Sequence, residues 1–214
     1  MLEGHVSTTE TIAEGPFGEF TGYGTGITET PVLDISAMTF RDDPIFQDIA
    51  SGHLEHLMLP MIALEHRATE TLREVTPNVI GVSLSAPLSL VVALRKADDG
   101  EPARVIRHLL EGDIYTKHVI VVDDDVDPGD LAAVFRAIAL NVQADRDVLI
   151  LTDQWGTPLD PSSPDPGGKT TKMGIDATLT MNPNRVITAN SLPQAVLDSV
   201  DLADILPPSR TRAR

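Results

Sequence analysis

The stretch His118-Val119-Ile120-Val121-Val122, followed at once by Asp123-Asp124-Asp125, decides the fold class. It is an unbroken apolar run rich in β-branched residues, the pattern of a parallel strand buried on both faces. Outward from it the period changes. Pro102 to Leu110 reads as a helix ending near Gly112, and Leu131 to Val142 as a second helix of apolar period. Val79 to Leu84 and Leu88 to Leu94 read as strands split by Pro87, and Asp147 to Thr152 as another buried strand. Further upstream, Leu54, Leu57, Met61, Leu64 and Leu72 recur at helical spacing through Val75, with a kink expected at Pro60. A strand–helix–strand rhythm of this kind implies an α/β layer domain. Residues 153–190 carry Pro158, Pro161, Pro164, Pro166 and paired glycines, so they read as a long loop. Pro193 to Ile205 reads as a closing helix.

Residues 1–50 have a different character. Met1 to Val6 and Pro31 to Phe40 alternate as strands, with Gly22, Gly24 and Gly26 between them. Two or three strands cannot bury a core alone. The expectation is the end of a β domain whose remainder lies outside this sequence. The division expected is 1–50 and 51–214.

Composition narrows the partners. The 214 residues carry a net charge of -16, from 16 basic and 32 acidic side chains. Such a surface repels phosphate backbones and anionic bilayers. There are no cysteines, which excludes disulfides, thiolate metal sites and cysteine nucleophiles. No apolar run approaches the ~18 residues of a membrane span. Met1 to His5 lacks the basic and apolar regions of a leader. A soluble cytoplasmic protein, binding neither nucleic acid nor membrane, is expected.

Four groups of residues invite chemistry. Asp123, Asp124, Asp125 and Asp127 resemble the start of a calcium loop, but Pro128 stands at the required glycine and Val134 at the bidentate glutamate. A helix start fits better, with Asp127 as N-cap and Pro128 at the first helical position. Gly167-Gly168-Lys169-Thr170-Thr171-Lys172 has the look of a phosphate loop, yet Ser163 replaces its first glycine; a solvated turn is the plainer reading. His53, Glu55, His56 and His66 lack a clear third metal ligand, so surface or interface histidines are expected. Finally, Glu14-Gly15-Pro16-Phe17-Gly18-Glu19-Phe20-Thr21-Gly22-Tyr23 sets two carboxylates about a Gly/Pro turn with an aromatic between them. Spacing alone makes them exposed acids on a surface turn.

The wider sequence changes that reading. Glu14 to Tyr23 resembles the signature of the UbiD family, the decarboxylases that use prenylated FMN. The resemblance continues through Arg41-Asp42-Asp43-Pro44-Ile45-Phe46-Gln47 and Val121 to Asp127. It goes on through Asp145-Arg146-Asp147, Leu159 to Ser163 and Lys172-Met173-Gly174-Ile175-Asp176-Ala177-Thr178. Several blocks in the family's order are far more specific than any one.

The resemblance covers only the carboxyl-terminal half of that family. It implies the last strands of a split β-barrel followed by an α/β oligomerisation domain. It implies a Glu-Arg-Glu network in which Glu14 pairs with the arginine and Glu19 exchanges a proton with the substrate carbon. It matches Lys172 to a lysine near the cofactor phosphate. The arginine and the Asn, His and Glu ligands of the divalent ion have no counterpart here. Where the family has Trp-Ala and then an arginine, this chain runs Phe135-Arg136-Ala137 to Asn141. The resemblance therefore implies one subunit of a split, homo-oligomeric decarboxylase, inactive alone. Prenylated FMN, Mn or Mg and K would be bound mostly by an amino-terminal-half partner, and the substrate would be a small aromatic, heteroaromatic or unsaturated acid. The competing reading is a non-catalytic assembly or regulatory module.

Overall fold

A computed structural model describes residues 1–163, 168–181 and 192–200. The chain divides into two units, Met1–Met181 and Asn182–Arg214. The first begins with a ribbon of two long antiparallel strands, β1 (Leu2–Glu14) and β2 (Thr28–Met38). Both are longer than their alternating segments suggested, because cross-strand bonding extends β1 through the polar Ser7–Glu10 stretch past a register shift. Leu2 opposes Met38, Gly4 opposes Ile35 and Val6 opposes Leu33, so these apolar side chains share one face. That face is open: Leu33 is 49% exposed and Val6 63%. The ribbon pairs with no other described strand, and no closed barrel is present among the described residues.

Helix α1 (Leu54–Leu72) follows, with Pro60 inside it. The layered part then builds a five-stranded sheet. Hairpin β3 (Val79–Ala86) and β4 (Ser89–Leu94) turns at Pro87-Leu88. Helix α2 (Glu101–Gly112) crosses over to β5 (His118–Asp123), which lies parallel to β4. Helix α3 (Leu131–Asn141) leads to β6 (Val148–Trp155) and then β7 (Lys169–Asp176). The strand order is β3-β4-β5-β7-β6, with β4, β5 and β7 parallel and an antiparallel strand at each edge.

Alternation along β4 and β5 feeds two cores. Leu90, Val92, Leu94, Val119 and Val121 meet Leu72 of α1 and Ile106 and Leu110 of α2 on one face. Val91, Ala93 and Val122 meet Val134 and Ala137 of α3 on the other. The central strands are thus buried on both sides, as their unbroken apolar runs require. Glu101, at the start of α2, is buried but accepts from the Thr76 hydroxyl, the Ala97 N–H and the Asn78 amide. Burial opposes its charge, yet those three donors outweigh it and hold the carboxyl below the ordinary glutamate value.

Four local expectations need correction. Strand β6 is an edge strand, not a buried one, since β7 inserts between it and β5 and leaves Ile150 52% exposed. The segment read as a long loop contains β7. The supposed glycine turn at Lys169 to Lys172 is the start of that strand, and Thr170, Lys172 and Gly174 face inward. Gly174 is required there, because a Cβ would lie 2.0 Å from Ile106 Cγ2 of α2. The cap of α3 is Asp130, whose Oδ1 accepts from Ala132 and Ala133 N–H at 3.0 and 3.1 Å; Asp127 instead closes the preceding turn onto Gly129 N–H. Trp155 is 62% exposed and lies under the Lys169 ammonium, 4.3 Å from its ring centre. The second unit shows a short helix, α4 (Gln194–Leu197). The rest of the expected closing helix, and Pro164 to Gly167, lie outside the described residues.

Candidate active site

Glu14 is the last residue of β1 and pairs with Thr28 of β2. Its side chain is exposed. Glu19 hangs from the connecting loop 15–27 and is half-buried. That loop closes on itself. Glu19 N–H donates to Tyr23 O at 2.9 Å, Gly22 N–H donates to Glu19 O at 2.9 Å, and Thr25 N–H donates to Phe17 O at 2.9 Å. The Glu19 backbone is therefore held on both its donor and its acceptor side, which fixes the origin of the side chain. Gly22 has a φ of 82°, so the loop turns through a left-handed conformation that glycine permits. Neither carboxylate makes a side-chain hydrogen bond or ion pair among the described residues.

Two neighbours support the loop, and sequence reasoning missed both. On one side Phe20 meets Tyr115 edge-on, with ring centres 6.2 Å apart. Tyr115 belongs to the turn between α2 and β5. It also lines a cavity of about 440 Å³ with Arg67, Thr71, His108, Asp113 and Thr116. On the other side lies the Ser51-Gly52 turn that opens α1: a Cβ on Gly18 would be 3.2 Å from Ser51 O. No residue pattern marks these contacts, because they join segments far apart in sequence.

Lys172 lies beneath that same α2–β5 turn. Its side chain is fully buried, and its ammonium donates to Leu110 O at 2.7 Å and Asp113 O at 2.6 Å. It thus satisfies carbonyls at the end of α2 that have no partner within the helix. Burial pushes the ammonium below the ordinary lysine value, against the pull of Asp113. A phosphate contact from Lys172 requires these two hydrogen bonds to open.

The acidic run after β5 is occupied by structural bonds. Asp123 accepts from Leu179 N–H at 2.8 Å, and Asp124 pairs with Arg95 at 2.6 Å. Burial holds the Asp123 carboxyl above the ordinary value. Among the described residues no group of three or more His, Asp or Glu side chains is placed to hold a metal ion. The described donor set therefore does not fit a divalent ion. His53 caps α1 without a side-chain bond, whereas His56 accepts from Gly52 N–H at 3.2 Å.

Comparison with known proteins places this geometry. The 3-octaprenyl-4-hydroxybenzoate carboxy-lyase C-terminal domain matches residues 60–177, and the Rift-related domain of the same carboxy-lyases matches residues 1–54. The anhydromevalonate phosphate decarboxylase of Methanosarcina mazei is 36% identical over 182 residues, covering 83% of this chain and 43% of that protein. The phenolic acid decarboxylase of Sedimentibacter hydroxybenzoicus is 34% identical over 192 residues, covering 86% and 39%. The chain therefore spans about two fifths of the length of these curated relatives. Among solved structures, the UbiD-class enzyme HmfF from Pelotomaculum thermopropionicum, in complex with FMN, superposes with a TM-score of 0.85 at 37% identity, covering 96% of this chain and 46% of that one. Vanillic acid decarboxylase of Sedimentibacter hydroxybenzoicus, ShVdcCD in closed form, superposes with a TM-score of 0.82 at 30% identity, covering 95% and 45%. The two domain models, which match residues 1–54 and 60–177 in order, show that the chain belongs to the UbiD family of carboxy-lyases.

Proposed function

We propose that this chain is the carboxyl-terminal part of a prenylated-FMN-dependent decarboxylase, and that a second polypeptide supplies the amino-terminal half. The observation that carries the reading is the bare ribbon. Strands β1 and β2 present Leu2, Val6, Leu33, Ile35 and Met38 to solvent on one face, directly before the loop that holds both glutamates. An apolar sheet face of this extent needs a cover. In this reading residues 1–50 complete a split barrel and residues 51–214 form the oligomerisation domain. The outward residues Leu131, Phe135 and Leu140 of α3, 54 to 71% exposed, support contact between copies. The neighbours support the scheme, since one is a decarboxylase designated ShVdcCD and another an evolved dimeric form of HmfF with prFMN. No described helix is long and apolar enough to cross a membrane; the proposal keeps the cytoplasmic location.

The chemistry asked of this chain is limited. Bound prenylated FMN would act as the electron sink for the breaking C–C bond. Glu14 pairs with the incoming arginine and holds that cation in place. Glu19 carries the proton: as carbon dioxide leaves, its carboxyl protonates the substrate carbon that held the carboxylate, and its carboxylate is then reprotonated. The hydrogen bonds about Glu19 hold the donor in register for that transfer. Proton loss and gain balance, so the net change is a carboxylic acid to carbon dioxide and the corresponding C–H compound. Substrates are small aromatic, heteroaromatic or unsaturated acids. A cofactor role for Lys172 belongs to the same proposal. Its present bonds favour a supporting one, holding the α2–β5 turn against Phe20.

Co-expression with an amino-terminal-half protein and a flavin prenyltransferase tests this. A stable complex with flavin absorbance and decarboxylase activity is expected, with no turnover from the purified single chain. Glu19→Gln should abolish turnover and leave assembly intact. Unchanged turnover in that variant assigns the chain to assembly alone.

A further inference from the structure

The Glu19 loop rests on a turn whose own support comes from a histidine. Gly52 adopts the left-handed φ of 73°, which L-residues with a Cβ resist. A Cβ there would lie 3.5 Å from Glu19 O and 4.0 Å from Gly18 Cα, so the turn packs backbone to backbone beneath Glu19. The N-cap residue of α1, His53, makes no side-chain bond. Instead His56, three residues on, folds its ring back so that Nδ1 accepts from Gly52 N–H at 3.2 Å. This is the reach of the third helical residue in a capping box, shifted by one amide and made by an imidazole. Because Nδ1 accepts, it carries the lone pair and the ring proton sits on Nε2. The same turn is closed by His53 N–H to Ala50 O at 3.1 Å, so the helix start and the Glu19 support are one unit.

We infer that His56 is a positioning residue for Glu19: it locks the Gly52 turn, and the Gly52 turn sets the height of the Glu19 backbone. The inference rests on the reading of Glu19 as the proton carrier, but its structural half stands on the isolated chain. Amide hydrogen exchange is measured there at Gly52, Glu19 and Gly22, for the native chain, His56→Leu and His56→Gln. Loss of one hydrogen bond is expected to speed all three amides by about fivefold in His56→Leu. The Val121 amide in the core keeps its native rate. His56→Gln, whose side-chain oxygen can reach the same N–H, restores native exchange. Acceleration confined to Gly52 overturns the inference, as does equal acceleration in both variants. In the reconstituted enzyme, His56→Leu lowers kcat at unchanged KM and His56→Gln recovers it. If the exchange pattern appears but the native complex has no turnover, the positional link stands and the decarboxylase reading falls.

Discussion

The ribbon and the layered sheet obey the same pairing rules and end in opposite states. Among the described residues, every buried hydrophobic one lies between Ala68 and Ala177, and not one of residues 1–67 is buried. Strand β5 has neighbours on both edges and helices on both faces. Among the described strands, β1 and β2 have only each other. The layered part brings its own covers, because α2 and α3 follow the strands they must shield. Among the described residues no helix is packed on the ribbon, and its apolar face stays open. Glu14 and Glu19 are carried at the end of this open ribbon, beside a scaffold with its own core, so the proposed role of the two carboxylates depends on what covers the ribbon.

Substitutions can break this contrast, beginning with the core. Leu110→Ala should cost about 2–5 kcal/mol in denaturant unfolding of the isolated chain, because Leu110 is fully buried between α2 and the sheet. The buried Lys117–Asp160 pair comes next. Lys117 reaches Asp160 at 2.6 Å and also bonds Ser162, and the Asp160 side chain is 4% exposed. Burial raises the Asp160 carboxyl, but the Lys117 ammonium and the Ser162 amide and hydroxyl outweigh it and bring it below 3.8. Its stabilisation is thus fully present above the unfolded value and drains as pH falls through the lower folded one. Asp160→Asn should cost about 3 kcal/mol at neutral pH and flatten the acid limb of the stability curve.

Smaller effects sharpen the comparison. Asp130→Ala should cost about 1 kcal/mol in thermal unfolding through loss of the α3 cap; a similar loss in Asp127→Ala would contradict the observed cap. The smallest effect belongs to the ribbon. Leu33→Asp should change the stability of the isolated chain by no more than about 0.5 kcal/mol, yet prevent capture of the amino-terminal half in a pull-down. A large loss of stability in the isolated chain would show that the ribbon already has a cover.

The layered fold was legible because its strands are buried on both faces. Val119 to Val122 and Leu90 to Leu94 leave no polar alternative, and the intervening helices carry their own period. Strand β7 was not legible. Lys169 to Asp176 places two lysines and two threonines in the strand, and its fit depends on Gly174 meeting Ile106 of α2. The α3 cap was read at Asp127, three residues before the Asp130 that caps the helix, and both have the side chain a cap needs. Only the direction of the incoming chain selects one. At the site, Glu14 and Glu19 stood out by family resemblance rather than by spacing. Tyr115 was silent and His56 was read only as a surface or interface histidine, because their roles come from contacts with Phe20 and Gly52.

By itself the sequence determined that a central apolar strand pair would be buried between helices, and that two carboxylates would share one Gly/Pro turn. Local preference and burial of apolar surface suffice for both. The tertiary structure decided where that turn is held: between Tyr115 on one side and the Gly52–His56 turn on the other, with Lys172 bracing the carbonyls behind Tyr115. Those contacts join segments that only folding brings together. Their energies depend on distance and on which polar groups are left without water, and no residue pattern along the chain encodes either.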